Sequence, residues 1–384
     1  MPINILICDP VGLAFDEQGL PDTSEVKAHI VARGGTFHDG RQPEADGENG
    51  LHFTYHPDVS TRDELLAMAA DGQFDGLIAA ATLIPPEAKF RFGGVRIGAG
   101  TGNMGSTSWG GPNGIGGVAP LMNTPGFNAR ATAQMAMKAL LHFRPDLPFD
   151  VLHNRILSGT FDTGKNLREF PTAKLEGQTM VVLGYGNIGK EVARLAAAFG
   201  MIVKIYARAP HHAQIANDGF VPVANIMEAA KGADVISVHT GLGAFDAATA
   251  RYANQGMINA DVLSRLGKSA TILNFDRGEC VDAEALNAAL ASGQVAHAAI
   301  DADIFNIGGK ISGPMAPYLP LARTFGNRIL LLPHAAADTD HPSRVAGAKQ
   351  AVDQIFDAIL HKRVMNRKGD LPPGYLDGGV KLGV

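Results

Sequence analysis

Cysteine and runs of basic residues are what this 384-residue chain has little of, and each scarcity removes a class of protein. Cys8 and Cys280 lie far apart and form no C-x-x-C pair, so a disulfide framework and a structural zinc site both lack ligands, and a reducing cytoplasm is the expected compartment. Charged residues are only 18% of the chain, with a formal net charge of -5. Without a Lys/Arg cluster there is no electrostatic footprint for nucleic acid or for an anionic membrane. No segment approaches the ~18 consecutive apolar residues a bilayer requires, and the opening MPINILICDP has neither a basic n-region nor a small-residue cleavage site. What is plentiful is apolar side chain, 46% of residues, and glycine, at 46 positions. That composition buries a sizeable core, and the length implies two domains acting on a small molecule.

Strand and helix patterns alternate from the start. Residues 3–9 (INILICD) and 74–82 (FDGLIAAAT) read as buried parallel strands, with TRDELLAMAA at helical spacing between them. Residues 90–128 turn glycine-rich, too long for a plain turn and rich in backbone N–H groups; a ligand-binding loop and a loose surface excursion both fit that composition. ATAQMAMKALLHF, residues 131–143, reads as a long helix into a second unit, which puts a boundary near Asn128. Beyond it come the strand candidates MVVL, DVISVHT, ATILNF, HAAIDA and RILLLPH, separated by helix-like stretches, the pattern of a doubly wound parallel sheet. Residues 344–362 read as one amphipathic helix that crosses back to the first domain.

The most specific motif is Gly184-Tyr185-Gly186-Asn187-Ile188-Gly189. It follows the apolar strand MVVL and opens the helix KEVARLAAAF, the context that separates a dinucleotide site from glycines at any sharp turn. Gly184 permits the turn, Gly186 lets a pyrophosphate approach the backbone beside the Asn187 and Ile188 amides, and Gly189 lets helix pack on strand. An NAD site usually ends the next strand with Asp or Glu, which accepts from the ribose 2′-hydroxyl. Here that position is Ala207, followed by Arg208 and then His211 and His212. With no carboxylate to repel a 2′-phosphate and a planar guanidinium to hold one, NADP is the preferred cofactor and NAD the alternative, in which Arg208 is a solvated strand-end residue.

Taken in order, NTPGFNARATAQ (123–134), the glycine fingerprint, VISVHTGL (235–242), ILNFDRGECVDAEAL (272–286), AAIDADIF (298–305) and LLPHAAADT (331–339) resemble the D-2-hydroxyacid dehydrogenase family across most of the chain. The resemblance implies an α/β fold of two Rossmann-like, doubly wound parallel-sheet domains: a substrate domain split between residues 1–127 and 338–384, around an NAD(P)-binding domain at 128–337. It implies an active site between them, a homodimer, and hydride transfer between a nicotinamide and C2 of a 2-keto or D-2-hydroxy acid. Residue by residue it makes Arg277 the cation for the substrate carboxylate and His334 the acid/base. Gly100, Thr101 and Gly102 become backbone donors to the carboxylate, Asp301 a neighbour of the nicotinamide carboxamide, and His239, Thr240 and Asp276 cofactor contacts.

One departure bears on mechanism. The family's histidine is normally paired with a glutamate five residues after the aspartate, a position held here by Asn306, which orients an imidazole without stabilising its charge as a carboxylate does. Three explanations compete. Asp303 or Asp338 replaces the carboxylate; or the site resembles formate dehydrogenase, which transfers hydride without a proton and would use Asn128 to orient substrate; or catalysis is lost and dinucleotide occupancy has a regulatory role. Longer loops at 241–257 and in the glycine-rich stretch leave the substrate's identity open.

Overall fold

The protein is described by a computed structural model covering residues 2–40, 49–57, 59, 62–69, 72–334 and 340–381. It divides into two compact units, Met1–Asn128 with Asp338–Val384, and Ala129–Ala337, the second inserted in the first. No helix among the described residues is long and apolar enough to cross a membrane.

In the first unit the strands are β1 (Pro2–Ile7), β2 (Thr36–Asp39), β3 (Gly50–Tyr55), β4 (Gly76–Ala79), β5 (Gly94–Arg96) and β6 (Leu121–Asn123). They lie in the order β6-β5-β4-β1-β3-β2, all parallel, with the short strand Arg367–Lys368 antiparallel on the β6 edge. A parallel sheet covered on both faces needs strands apolar on both sides, and Ile5, Leu6 and Ile7 are all fully buried. Ile5 and Ile7 pack against Val345, Ala348, Val352 and Ile355 of the helix His341–Leu360. That helix is the crossing-back segment read from the sequence. It begins three residues earlier than its periodicity indicated, because Asp340 caps it by accepting from Ser343 N–H at 2.9 Å.

Leu6 and Leu77, on the opposite face, pack against Phe90, Met104 and Trp109. The glycine-rich stretch is therefore a folded layer and not a loose excursion. Trp109 stacks on Phe90 with centroids 5.7 Å apart and donates its indole N–H to the Met104 carbonyl at 2.9 Å. Its glycines allow backbone to lie on backbone: a Cβ on Gly110, whose φ is +83°, would sit 1.9 Å from the Ile115 oxygen.

The second unit contains β7 (Thr179–Leu183), β8 (Ile202–Tyr206), β9 (Val221–Val223), β10 (Val235–Val238), the hairpin β11 (Phe245–Asp246) with β12 (Arg251–Tyr252), β13 (Ala270–Asn274), β14 (Val295–Asp301), the hairpin β15 (Phe305–Ile307) with β16 (Lys310–Ser312), and β17 (Ile329–Leu332). The main sheet runs β17-β14-β13-β10-β7-β8-β9, entirely parallel. Its order reverses between β7 and β10, the position at which open α/β sheets form a ligand crevice outside their carboxyl ends. Register brings those ends level: Leu183 pairs with Val238 and Tyr206, Val238 with Asn274, and Asp301 with Leu332. The residues that follow each strand therefore share one edge. Both units are thus α/β with doubly wound parallel sheets, the fold class expected.

Candidate active site

The turn after β7 has the geometry that its glycines imply. Gly184 has φ +95°, and a Cβ there would sit 2.3 Å from the His239 carbonyl oxygen; one on Gly189 would sit 2.2 Å from the Gly184 oxygen. Both positions are closed to any side chain. Gly186 differs, with φ -80° and no atom within 4 Å of an added Cβ. It is the N-cap of the helix Asn187–Ala198 and supplies no capping side chain, so the first amides of that helix keep their capacity for an anion. Two glycines are needed for packing and the third leaves open the side on which a pyrophosphate would approach.

Tyr206 ends β8 and pairs with Leu183, and no carboxylate follows it. Ala207 is half-buried, while Arg208 and His211 are exposed. His212 has one ring nitrogen committed, 2.9 Å from the Ala207 carbonyl oxygen, so it steadies the turn and is less free than His211 to meet a ligand.

His239 follows the end of β10, where its main chain borders the glycine turn. Its imidazole is buried, with Nε2 2.8 Å from Ser237 Oγ and Nδ1 without a hydrogen-bond partner among the described residues. Burial pushes its pKa down to about 3, which keeps the ring neutral. Thr240 points its hydroxyl at Met257 Sδ, 3.4 Å away. Asp276 Oδ2 accepts from Gly241 N–H at 2.8 Å, fastening the start of the 241–257 loop. Burial raises the Asp276 pKa, and the Gly241 amide and Arg277 only partly offset this.

The ends of β13, β14 and β17 bring together the acid/base candidates. Arg277 sits three residues past β13, on a turn held from two sides. Asn274 Nδ2 donates to its carbonyl at 2.9 Å, and the buried Tyr318 hydroxyl lies 2.7 Å from the Gly278 and Val281 carbonyls. Asn274 and Tyr318 were not singled out in the sequence, although an asparagine closing the apolar strand ATILN was a usable signal. Arg277 Nη1 is 3.6 Å from Asp303 Oδ2, and His334 Nδ1 is 3.4 Å from Asp303 Oδ1. The latter contact is too poorly aligned for a hydrogen bond, since the buried Nδ1 has no such partner, and it acts as an electrostatic pair. Burial disfavours imidazolium, but Asp303 outweighs it, and the His334 pKa stands above its ordinary value. His334 has φ +55°, a conformation that costs a β-carbon residue energy, and its N–H donates to the Leu332 carbonyl at 2.9 Å. Asp301 closes β14 and is buried.

Asn306 does not stand beside His334. The chain leaves β14 and enters the hairpin β15–β16, where Asn306 is exposed and pairs with Ile311. The carboxylate next to the imidazole is Asp303, and Asp338 lies outside the described residues. Gly100, Thr101, Gly102 and Asn128 belong to the first unit. There Thr101 donates its hydroxyl to the Pro112 carbonyl at 2.8 Å and its own carbonyl accepts from Met104 N–H at 3.0 Å, while Gly102 has open space around it.

Residues 149–336 match the D-isomer specific 2-hydroxyacid dehydrogenase, NAD binding domain. Among curated relatives, a hydroxypyruvate reductase of Thermotoga maritima is 29% identical over 62% of this chain and 70% of its own length. A glyoxylate reductase of Korarchaeum cryptofilum is 28% identical over 53% of each. The chain thus spans about half to 70% of these relatives. A solved NAD+-bound 3-phosphoglycerate dehydrogenase of Entamoeba histolytica shares the fold, with a TM-score of 0.64 at 19% identity over 98% of this chain and 100% of that one. With the glycine turn at the switch point of its inserted sheet and these matches in view, residues 149–336 of the chain belong to the D-isomer specific 2-hydroxyacid dehydrogenase family as its NAD-binding domain.

Proposed function

We propose that the protein is an oxidoreductase that moves a hydride between NADP(H), or less effectively NAD(H), and C2 of a 2-keto or D-2-hydroxy acid. The observation that carries this reading is the convergence of Arg277, Asp303 and His334 at the carboxyl edge of the sheet that bears the glycine turn. The nicotinamide supplies or accepts the hydride, and the remaining work falls to the chain. The Gly184–Gly186–Gly189 turn and the helix behind it hold the pyrophosphate, and Arg208 holds a 2′-phosphate. Arg277 binds the substrate carboxylate, and protonated His334 gives its proton to the C2 oxygen as the alcohol forms, taking it back in the reverse direction. Gly100, Thr101, Gly102 and Asn128 keep the substrate-holding roles given by the resemblance, and Asp301 that of a carboxamide neighbour.

The relatives named as hydroxypyruvate and glyoxylate reductases make small 2-keto acids the first substrates to try. The Asp303–His334 pair favours this reading over a formate-dehydrogenase-like one, which needs no proton donor. A homodimer is part of the reading: the helix Phe149–Leu157 has no buried residue and exposes Phe149, Ile156 and Leu157, apolar surface that a second copy would cover.

The test is absorbance at 340 nm with NADPH and NADH against glyoxylate, hydroxypyruvate, pyruvate and bulkier 2-keto acids, with formate and the oxidised cofactors run in the opposite direction. Consumption of reduced cofactor with a keto acid is the expected result. Formate oxidation, or cofactor binding without turnover, would overturn it. Arg208→Ala should raise KM for NADPH about 10- to 100-fold, the value of a lost charge-assisted contact, and leave KM for NADH nearly unchanged; equal effects would remove the NADP preference.

A further inference from the structure

Asp303 lies between two cations and offers a different oxygen to each, Oδ1 to His334 at 3.4 Å and Oδ2 to Arg277 at 3.6 Å. It comes from the turn between β14 and the β15–β16 hairpin, only two residues past the buried Asp301. Resting on the dehydrogenase reading, we propose that Asp303 is the positioning residue of this site, a shared carboxylate that keeps His334 charged and neutralises Arg277 until a substrate carboxylate takes Arg277 over.

The physical argument is one of competition for a guanidinium. Both contacts are longer than a well-formed charged hydrogen bond, and all three side chains are about one-third exposed, at 35% for Arg277, 40% for Asp303 and 27% for His334. An exposed pair at such distance is weak, so an incoming carboxylate that docks on the guanidinium fork displaces Asp303 at little cost. Two effects then act on His334 in one direction. Asp303 is released from Arg277 and becomes the imidazole's alone, and the positive charge of Arg277, which opposes imidazolium, is matched by the ligand's negative one. The charged groups that face His334 among the described residues are Asp303, Arg277, Asp301 and, through its own coupling to the ring, Asp276. Of these the Asp303 carboxylate lies against both cations. Arrival of the substrate therefore tightens the hold of His334 on the proton that reduction consumes, and a ligand without a carboxylate does not.

The decisive experiment follows the His334 ring by NMR in full-length protein carrying labelled histidine, saturated with oxidised dinucleotide, with and without oxamate as a carboxylate probe. His334→Gln assigns the signal. In wild type the titration midpoint should rise when oxamate binds. In Asp303→Asn it should lie about one pH unit lower, as expected for loss of an adjacent carboxylate, and oxamate should shift it less. Asp303→Glu should restore part of the shift, and Asn306→Ala should match wild type. In steady state, Asp303→Asn should lower kcat about 10- to 100-fold, within the usual worth of general acid–base catalysis, and move the limb of the pH profile that reports the acid, without a comparable rise in KM. A midpoint unchanged in both Asp303 variants, or moved instead by Asn306→Ala, overturns the proposal. The dehydrogenase reading fails separately: wild type inert towards every 2-keto acid, yet with the Asp303-dependent shift intact, would retain the pair and discard the reaction.

Discussion

Replacing His239 with glutamine should flatten the acid sensitivity of the second unit by about 2 kcal/mol between pH 7 and pH 5, from proton linkage at this one ring. The imidazole is 7% exposed, its pKa is depressed by burial to about 3, and the ordinary value is 6.5. Because the folded pKa is the lower one, the unfolded chain takes up a proton below 6.5 that the folded chain refuses. Stability is therefore whole above 6.5 and is lost as pH falls towards 3. The full span of three and a half pKa units amounts to about 5 kcal/mol, of which roughly 2 is spent by pH 5. Glutamine does not titrate and can still meet Ser237, 2.8 Å from Nε2 in the wild type. Whatever it costs at pH 7 is a constant offset, so the informative quantity is the difference in slope. Urea unfolding followed by circular dichroism at a series of pH values measures it, and fluorescence of Trp109, the sole tryptophan and part of the first unit, tracks that unit independently. Equal slopes for wild type and variant would show that His239 is accessible to protons in the folded state and refute the burial argument.

The glycine turn predicts a division between binding and packing. Gly186→Ala should leave Tm unchanged, because nothing lies within 4 Å of the added carbon, and should weaken dinucleotide binding about tenfold or more in a calorimetric titration. Gly184→Ala should instead lower stability by roughly 2–4 kcal/mol, since its φ of +95° and the His239 oxygen both oppose a side chain. A stable Gly184→Ala would refute the closed-turn reading. Tyr318→Phe leaves the Gly278 and Val281 carbonyls without their shared hydroxyl and should cost roughly 1–3 kcal/mol in denaturant unfolding, with kcat/KM falling because the Arg277 turn loosens.

His334 carries its own pH signature in stability. Its pKa is raised in the folded state, where Asp303 outweighs burial, so its contribution is present in full below the ordinary histidine value of 6.5 and fades as pH rises through the folded value. Asp303→Asn should remove that contribution, visible as a smaller difference in Tm from wild type at alkaline than at mildly acidic pH. A difference independent of pH would mean that the two side chains do not interact.

Legibility in the sequence followed locality. Strand, turn and helix at residues 179–198 are written in adjacent residues, so the dinucleotide site was readable from spacing alone, and the long apolar runs marked β7, β10, β13, β14 and β17. Short strands such as β2, β5 and β6, three or four residues each, carry too little periodicity to stand out. The glycine-rich stretch stayed open to two readings because composition does not distinguish an ordered backbone from a loose one, and the contacts of Trp109, Gly110 and Ile115 exclude only the loose excursion. His239 is of the same kind: a polar residue at a strand end faces either ligand or core, and only the tertiary structure shows its ring buried beside Ser237.

Sequence by itself determined the α/β class and the glycine turn, because these depend on short-range pattern, while Arg277 and His334 stood out only through the resemblance carried by motif order. The partner of the imidazole was decided by tertiary structure. Counting along the chain led to Asn306, but the hairpin β15–β16 carries that amide away and leaves Asp303 between Arg277 and His334, three residues separated by up to 57 positions and joined only by the register of β13, β14 and β17. Spacing in sequence fixes a contact only where the backbone between is regular, and here it is not.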